Sequence, residues 1–455
     1  MALVPKCGRS CARGGTRMKA SDNHPLIDDY LSSVCGCVKA RELHKEIRQE
    51  MAGHLEELVH AKRGEGWDEE AAAQWAIRQM GDPEAVGREL NKVHKPRIPW
   101  GLVCWVAVLL VISLVAMYAV ELAYATNENS AFASFHFLLR KAQFTMIGLL
   151  IMALLLFFDY RKLLNYSWAI YACTLLVSLA AIVWGPQVNG MKGYLYFGPV
   201  SIDWINVSPF LFILAAAGSL HNRDSSKRSL ALQHLLFVFI PASVYLIAPS
   251  MSSLLIYASA YLLLLCAVRT GWFAAGSQAL VFGAIGGLYI VSGYGRMRLE
   301  AFFHRYDHSM DAGYMYVQID DAIRSAGWWG HGFAAVNKKL PYIHSDTIFT
   351  YLIYSMGWLA GGVIVTCAVW FAVHLLRILV EVRDGYGKLL ISGLSALLMV
   401  QFIWSIGMSL GVLPILGGAS LPFVSYGGSH LLVEMAAMGV IFSVYRRKDT
   451  IRIKG

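Results

Sequence analysis

The sequence predicts an all-α integral membrane protein of about ten transmembrane helices, preceded by a small soluble helical domain. Of its 455 residues, 56% are hydrophobic and only 15% charged, with a mean hydropathy of +0.50. A water-soluble domain carries roughly a quarter charged residues, so much of this chain meets lipid. After Pro99 the apolar residues fall into ten runs, most of them near the ~20 residues that span a bilayer. Basic residues gather in alternate connections, the asymmetry that cytoplasmic loops produce. That placement also accounts for the formal net charge of +9 without nucleic acid, for which there is no fold signature.

Residues 1–24, rich in Gly, Arg and Cys at their start, lack the long apolar core of a signal peptide. They are read as disordered, or as preceding an alternative start at Met18. Residues 25–97 read as a cytoplasmic helical unit. Leu43, Ile47, Met51, Leu55 and Leu58 recur every three or four residues between charged faces, which is helical periodicity. Asp68-Glu-Glu places acids where a helix begins, and Gly81-Asp-Pro ends that helix and starts another. The unit resembles the small helical prefix domain found before some bacterial permease-like proteins, which implies docking or regulation. Of the 8 cysteines, Cys104, Cys173, Cys266 and Cys367 lie in apolar runs. Cys7, Cys11, Cys35 and Cys37 precede them, and the Cys35-x-Cys37 spacing is tighter than usual zinc pairs. They are read as reduced thiols.

The ten runs are Trp100–Ala123, Gln143–Phe158, Tyr166–Gly185, Ile202–Leu220, Leu230–Ala248, Met251–Val268, Trp272–Gly293, Thr347–Leu376, Leu389–Leu413 and Leu431–Tyr445. The eighth is long enough to tilt or project beyond the core. Arg161, Lys162, Arg223, Lys227, Arg228, Arg269, Arg377, Arg383, Lys388 and Arg446-Arg-Lys mark the even-numbered connections and the tail. Both termini are therefore expected in the cytoplasm, with Tyr294–Asp346 outside. Arg140 and Lys141 fall on the opposite side, against the pattern.

The external segment contains Gly313-Tyr-Met-Tyr-Val-Gln318, then Gly327-Trp-Trp-Gly330-His-Gly332, then Leu340-Pro-Tyr-Ile-His-Ser-Asp346 directly before an apolar run. Glycine spacing permits a tight re-entrant or surface-hugging path, and paired tryptophans suit the headgroup zone. Asp346 reads either as a helix N-cap or as a carboxylate available as general base. Further on stands Leu421-Pro-Phe-Val-Ser-Tyr-Gly-Gly-Ser429, between the last two runs. His430 and Glu434, four apart, share a helix face and read either as a mutually satisfied pair or as a functional intramembrane pair.

Together these stretches resemble the SEDS family, the cell-wall glycan polymerases typified by FtsW, RodA and SpoVE, over roughly residues 98–447. The family's Leu-Pro-Glu-x-His-Thr-Asp-Phe-Ile-Phe is similar to Leu340 through Phe349, with the catalytic Asp falling on Asp346. Its Leu-Pro-Phe-x-Ser-Tyr-Gly-Gly-Ser matches 421–429 at every specified position. The resemblance implies a peptidoglycan glycosyltransferase that polymerises lipid II, working beside a transpeptidase of the penicillin-binding class in the bacterial cell membrane. It implies Asp346 as base, and Arg298, Arg296, Gln318, His344, Lys192, Ser425, Tyr426, Gly427 and Gly428 as substrate-binding residues. A divalent cation, Mg or Mn, is expected at the leaving diphosphate, with its ligands unknown. Arg296 and Arg298 equally suit lipid headgroups.

Departures accompany the match. The family's Glu after Leu-Pro is Tyr342, and its Glu-Glu-Leu-Gly is Tyr354-Ser-Met-Gly357. Asn-Gly-x-x-Arg-Trp becomes Asn189-Gly-Met-Lys-Gly193-Tyr194, and Gln-Pro-Ser-Glu becomes Asp203-Trp-Ile-Asn206. Loss of charge at these places leaves two alternatives open: a precursor flippase or transporter, and a non-catalytic regulatory paralogue.

Overall fold

The computed structural model describes residues 24–38, 44–93, 98–126, 132, 134–187, 192–198, 200–221, 230–268, 272–291, 293–307 and 310–448. The expectations for residues 1–23, for Cys7 and Cys11, and for the basic residues Arg223, Lys227, Arg228 and Arg269 lie outside these. The chain divides into two compact units, Met1–Pro96 and Arg97–Gly455.

The first unit contains α1 (Pro25–Gly36), α2 (His44–Gly64), α3 (Glu69–Met80) and α4 (Pro83–Val93). The apolar stripe read along α2 faces inward: Ile47 and Leu55 are buried with Leu31, Val34, Cys35, Ala73 and Ala76, and Met51 and Leu58 pack against them. Gly81, with φ of 89°, ends α3. The Asp82 carboxylate accepts the Ala85 N–H at 3.0 Å and so caps α4.

The second unit begins with α5 (Trp100–Ala125), α6 (Phe137–Phe157), the short α7 (Arg161–Asn165) and α8 (Ser167–Trp184). A hairpin, β1 (Tyr194–Phe197) and β2 (Val200–Asp203), runs into α9 (Trp204–His221). The next span is α10 (Leu230–His234), a π-helical turn (Leu235–Phe239) and α11 (Ile240–Ile247) in succession. Then follow α12 (Met251–Ala267), α13 (Trp272–Val291), α14 (Gly293–Phe303), α15 (Tyr314–Ala326), α16 (Ile348–Glu381), α17 (Gly385–Ser409) and α18 (Gly428–Arg446). Among the described residues, 8 helices are long and apolar enough to cross a membrane, and Leu232–Ile247 and Met251–Ala267 are shorter apolar helices. These coincide with the ten apolar runs. Leu150, Leu154, Leu176, Val183, Leu280 and Leu288 are exposed on the outside, a surface that only lipid solvates well. This is a multi-pass, all-helical membrane protein.

Helices in lipid gain no hydrophobic driving force from one another and pack by close van der Waals fit. The α6–α18 pair shows it. A Cβ added at Gly148 would lie 2.9 Å from the Met435 Cγ, so the two helices approach as closely as glycine allows.

The eighth run does not reach its length by one tilted helix. Gly357 has φ 82° and ψ 177°, so α16 is two helical pieces joined at a break. The 294–346 segment is also more regular than its glycines suggest. It forms α14 and α15, the latter burying Tyr316, Ile319, Ala322 and Ala326 at helical spacing. Finally, Lys141 is 1% exposed. It is not a loop cation on the wrong side but a buried residue inside α6.

Candidate functional site

Two loops meet at one end of the bundle, the one before α16 and the one between α17 and α18. The Tyr426 N–H donates to the His344 carbonyl at 2.8 Å, and the Ser425 hydroxyl donates to the Ser345 carbonyl at 3.1 Å. Ser425 Oγ in turn accepts the Leu421 N–H at 2.9 Å. Asp346, the next residue, is half-buried between them. Its cap reading is corrected by the geometry: Thr347 stands at the cap position of α16 and no side chain caps there. The Asp346 carboxylate instead lies toward the backbone N–H of Gly418, from the facing loop.

A second carboxylate comes from the hairpin. Tyr194 pairs with Asp203 across β1 and β2, and its hydroxyl interacts electrostatically with the Asp203 carboxylate. Asp203 also caps α9, accepting the Asn206 N–H at 3.3 Å and its side-chain amide at 2.7 Å. Ser253 donates to the Asn206 amide oxygen, and the Ser429 hydroxyl accepts the Asp203 N–H at 3.3 Å. Burial lifts the Asp346 carboxyl above the usual carboxylate range. The Gly418 N–H and the Arg298 guanidinium oppose that rise, and the negative Asp203 adds to it. Burial likewise pushes the Tyr194 hydroxyl well up, with Asp203 and Asp346 contributing, so it remains a donor. The result is two carboxylates that act on each other, with the Arg298 guanidinium within electrostatic reach of Asp346, open in part to solvent.

The family model for FtsW, RodA and SpoVE, described as cell cycle protein, matches residues 100–450. The chain belongs to the FtsW/RodA/SpoVE family. The "Probable peptidoglycan glycosyltransferase FtsW" of Coxiella burnetii is 29% identical over 369 residues, covering 77% of this chain and 98% of that protein. "Peptidoglycan glycosyltransferase MrdB" of Escherichia coli K12 is 26% identical over 318 residues, 68% of this chain and 85% of the relative. A chain from a peptidoglycan synthase complex superposes with a TM-score of 0.64 at 22% identity, covering 77% of this chain and 98% of its own. The Thermus thermophilus rod shape determining protein RodA superposes with a TM-score of 0.56 at 21% identity, covering 77% and 97%. At such identities these superpositions establish the fold.

Within this FtsW/RodA/SpoVE chain the other expected site residues take different places. Arg298 is half-buried beside Asp346. Arg296 points outward and pairs with Glu300 at 2.8 Å, one helical turn on. Lys192 is exposed just before the hairpin, and Gln318 is half-buried on α15. Tyr426 packs edge-on against Phe135 and Phe137. Gly427 stands at the cap of α18, and the adjoining Gly428 lies against the Phe144 ring.

His344 is half-buried, its ring set among aromatic side chains. Its ring lies 5.2 Å from Phe137 and 5.3 Å from Phe132, and Nδ1 is 3.2 Å from the Tyr124 hydroxyl. Burial in this aromatic nest lowers the imidazole from 6.5 to about 4, so it is neutral at physiological pH. The stabilisation from keeping it neutral is complete above pH 6.5 and is lost as pH falls through about 4. His344→Phe should therefore flatten the decline in melting temperature between those values. A decline as steep as the wild type's would mean that other groups control acid unfolding.

Glu434 and His430 are not each other's partners. The Glu434 carboxylate accepts the Phe423 N–H at 2.8 Å, while the charges bearing on His430 are those of Asp203 and Lys141. Sequence reasoning missed Asp203 because it stands in a departure from the family pattern; its alignment with a polar family position was the available signal. For a cation, the described residues hold no group of three or more His, Cys, Asp or Glu side chains that could form a cage. The Asp203 carboxylate offers one oxygen donor to the set that a hard cation completes with phosphate oxygens and water.

Proposed function

We propose that the chain is a peptidoglycan glycosyltransferase that polymerises lipid II, with Asp346 as general base. The observation that carries this is the half-open Asp346 carboxylate, seated by Gly418 with Arg298 as its neighbouring cation. Its two closing loops bear the family's motifs, and the named relatives carry that activity. The 4-hydroxyl of the acceptor sugar attacks the anomeric carbon of the polyprenyl-diphosphate-linked disaccharide. A new C–O bond forms as the bond to the diphosphate breaks; the bonding electrons leave with the diphosphate and the hydroxyl proton passes to Asp346. A base with its pKa lifted toward the working pH suits that transfer, which contributes roughly 10²–10⁴-fold. Arg298 offsets the growing negative charge on the leaving group. Asp203, with diphosphate oxygens and water, would hold a Mg or Mn ion, which would neutralise diphosphate charge when bound.

In this reading both termini are cytoplasmic, the carboxylates face outward, and a penicillin-binding transpeptidase docks alongside to crosslink the strands. The activity would serve division or cell shape. Purified protein, with and without such a transpeptidase, should make glycan strands from lipid II, and EDTA should stop it with Mg or Mn restoring it. Absence of strands under every partner and cation condition would overturn the proposal. A flippase reading has one observation behind it: Gln401 Oε1, Ser405 Oγ and Ser409 Oγ, one turn apart on α17, are buried without hydrogen-bond partners, polar groups facing inward within a span. Rapid transfer of labelled lipid II across protein-containing vesicles, without strand formation, would favour it.

A further inference from the structure

The loop that presents Ser425 and Tyr426 to the residues before Asp346 does not hold its shape unaided. Phe423 adopts φ 62°, a left-handed conformation that a bulky residue takes only when its surroundings impose it. Two buried ionisable side chains from neighbouring helices take both of its backbone groups. From α6, Lys141 Nζ donates to the Phe423 carbonyl at 2.9 Å and to the Ser425 carbonyl at 2.7 Å. From α18, Glu434 Oε2 accepts the Phe423 N–H at 2.8 Å. Lys141 is 1% exposed and Glu434 2%, and each charge acts on the other. An isolated charge inside a membrane bundle is costly; here opposite charges close on the two backbone groups of a single residue, Phe423. The Ser113 hydroxyl adds a third hold at the Val424 carbonyl, 3.1 Å.

We infer that Lys141 and Glu434 are positioning residues for the reaction, forming a clamp that fixes the 421–426 loop and, through it, Asp346. The route is continuous. Lys141 and Glu434 set Phe423 and Ser425; the Ser425 hydroxyl then reaches the Ser345 carbonyl, and Tyr426 the His344 carbonyl. The catalytic part of this inference rests on the glycosyltransferase reading, but the clamp itself does not.

The test uses the double variant Lys141→Met/Glu434→Met, which removes both charges and leaves neither unpaired, so that folding is not confounded by a lone buried ion. With lipid II as substrate, kcat should fall by about tenfold or more while KM stays within about twofold, the signature of a displaced base rather than a lost binding contact. Lys141→Arg, which keeps a donor and the opposite charges, should retain most of the rate. The exchanged pair Lys141→Glu/Glu434→Lys should not rescue it, because an acceptor would then face two carbonyls. Hydrogen exchange in peptides covering 341–347 and 421–427 should be several-fold faster in the double Met variant. Wild-type kcat in that variant would overturn the positioning role, and wild-type exchange would overturn the clamp. If the wild-type protein makes no glycan, the glycosyltransferase reading fails, and exchange alone decides the clamp.

Discussion

Replacing Asp346 with Asn is expected to abolish glycan synthesis while leaving the melting temperature at or above that of the wild type. The two effects have one cause. The carboxyl is half-buried and feels the negative Asp203, and desolvation lifts its pKa above 3.8 against the pull of Gly418 and Arg298. With such a shift, folding favours the neutral acid relative to the carboxylate. Its contribution to stability is complete below the unfolded carboxyl value and is lost as pH rises through the folded one. At neutral pH the ionised carboxylate therefore costs stability, and an isosteric amide that can still face the Gly418 N–H relieves it. Functional groups held against their preference in this way are a common source of stability–activity conflict. Asn cannot take the acceptor proton, so the rate should fall roughly 10²–10⁴-fold. The same lift predicts that the acid limb of the wild-type pH–rate profile lies above the ordinary carboxylate range. Strand synthesis from lipid II and thermal unfolding in detergent measure both effects. Wild-type rates, or a melting point several degrees lower, would remove Asp346 from the role of base.

Much of the architecture could be read from residues because its causes are local. Ten apolar runs report directly on the solvent each segment meets, and Ile47 and Leu55 lie on the buried face that their spacing implies. Asp346 and the Ser425–Gly428 stretch were found by resemblance, and they do face one another. What escaped depends on tertiary contact. Asp203 gains its meaning from Tyr194 across a hairpin and from Asp346 on another loop, neither of which a linear pattern shows. Lys141 broke the positive-inside pattern, and burial against the Phe423 and Ser425 carbonyls is the reason. Glu434 was grouped with His430 by helical spacing, yet its partner lies eleven residues back, at Phe423. Spacing identifies which residues share a face but not what that face meets.

Gly357→Ala is expected to be strongly destabilising to the membrane unit. With φ 82° and ψ 177°, the residue occupies a region that is essentially glycine's alone, and a Cβ there would collide with the Trp328 carbonyl. The break it permits frees backbone groups that a membrane helix cannot leave unpaired. The Gly-rich turn takes them: Trp358 N–H donates to the Gly327 carbonyl at 3.1 Å, while the N–H groups of His331 and Gly332 donate to Tyr354 and Ser355 at 3.0 Å each. His331 stacks on Tyr354 at 4.2 Å between ring centroids. Alanine must either strain the backbone or undo this seam, at a cost of about 3 kcal/mol or more, which corresponds to a loss of roughly 10 °C in melting temperature. Because the chain runs from the seam directly into the Asp346 loop, the rate should fall with it. Gly362→Ala, five residues along the same helix, supplies the contrast. Its Cβ would meet nothing within 4 Å, and alanine in a helix interior stabilises by about 0.5–1 kcal/mol relative to glycine. If the two variants melt together, the break in α16 is not what holds the turn.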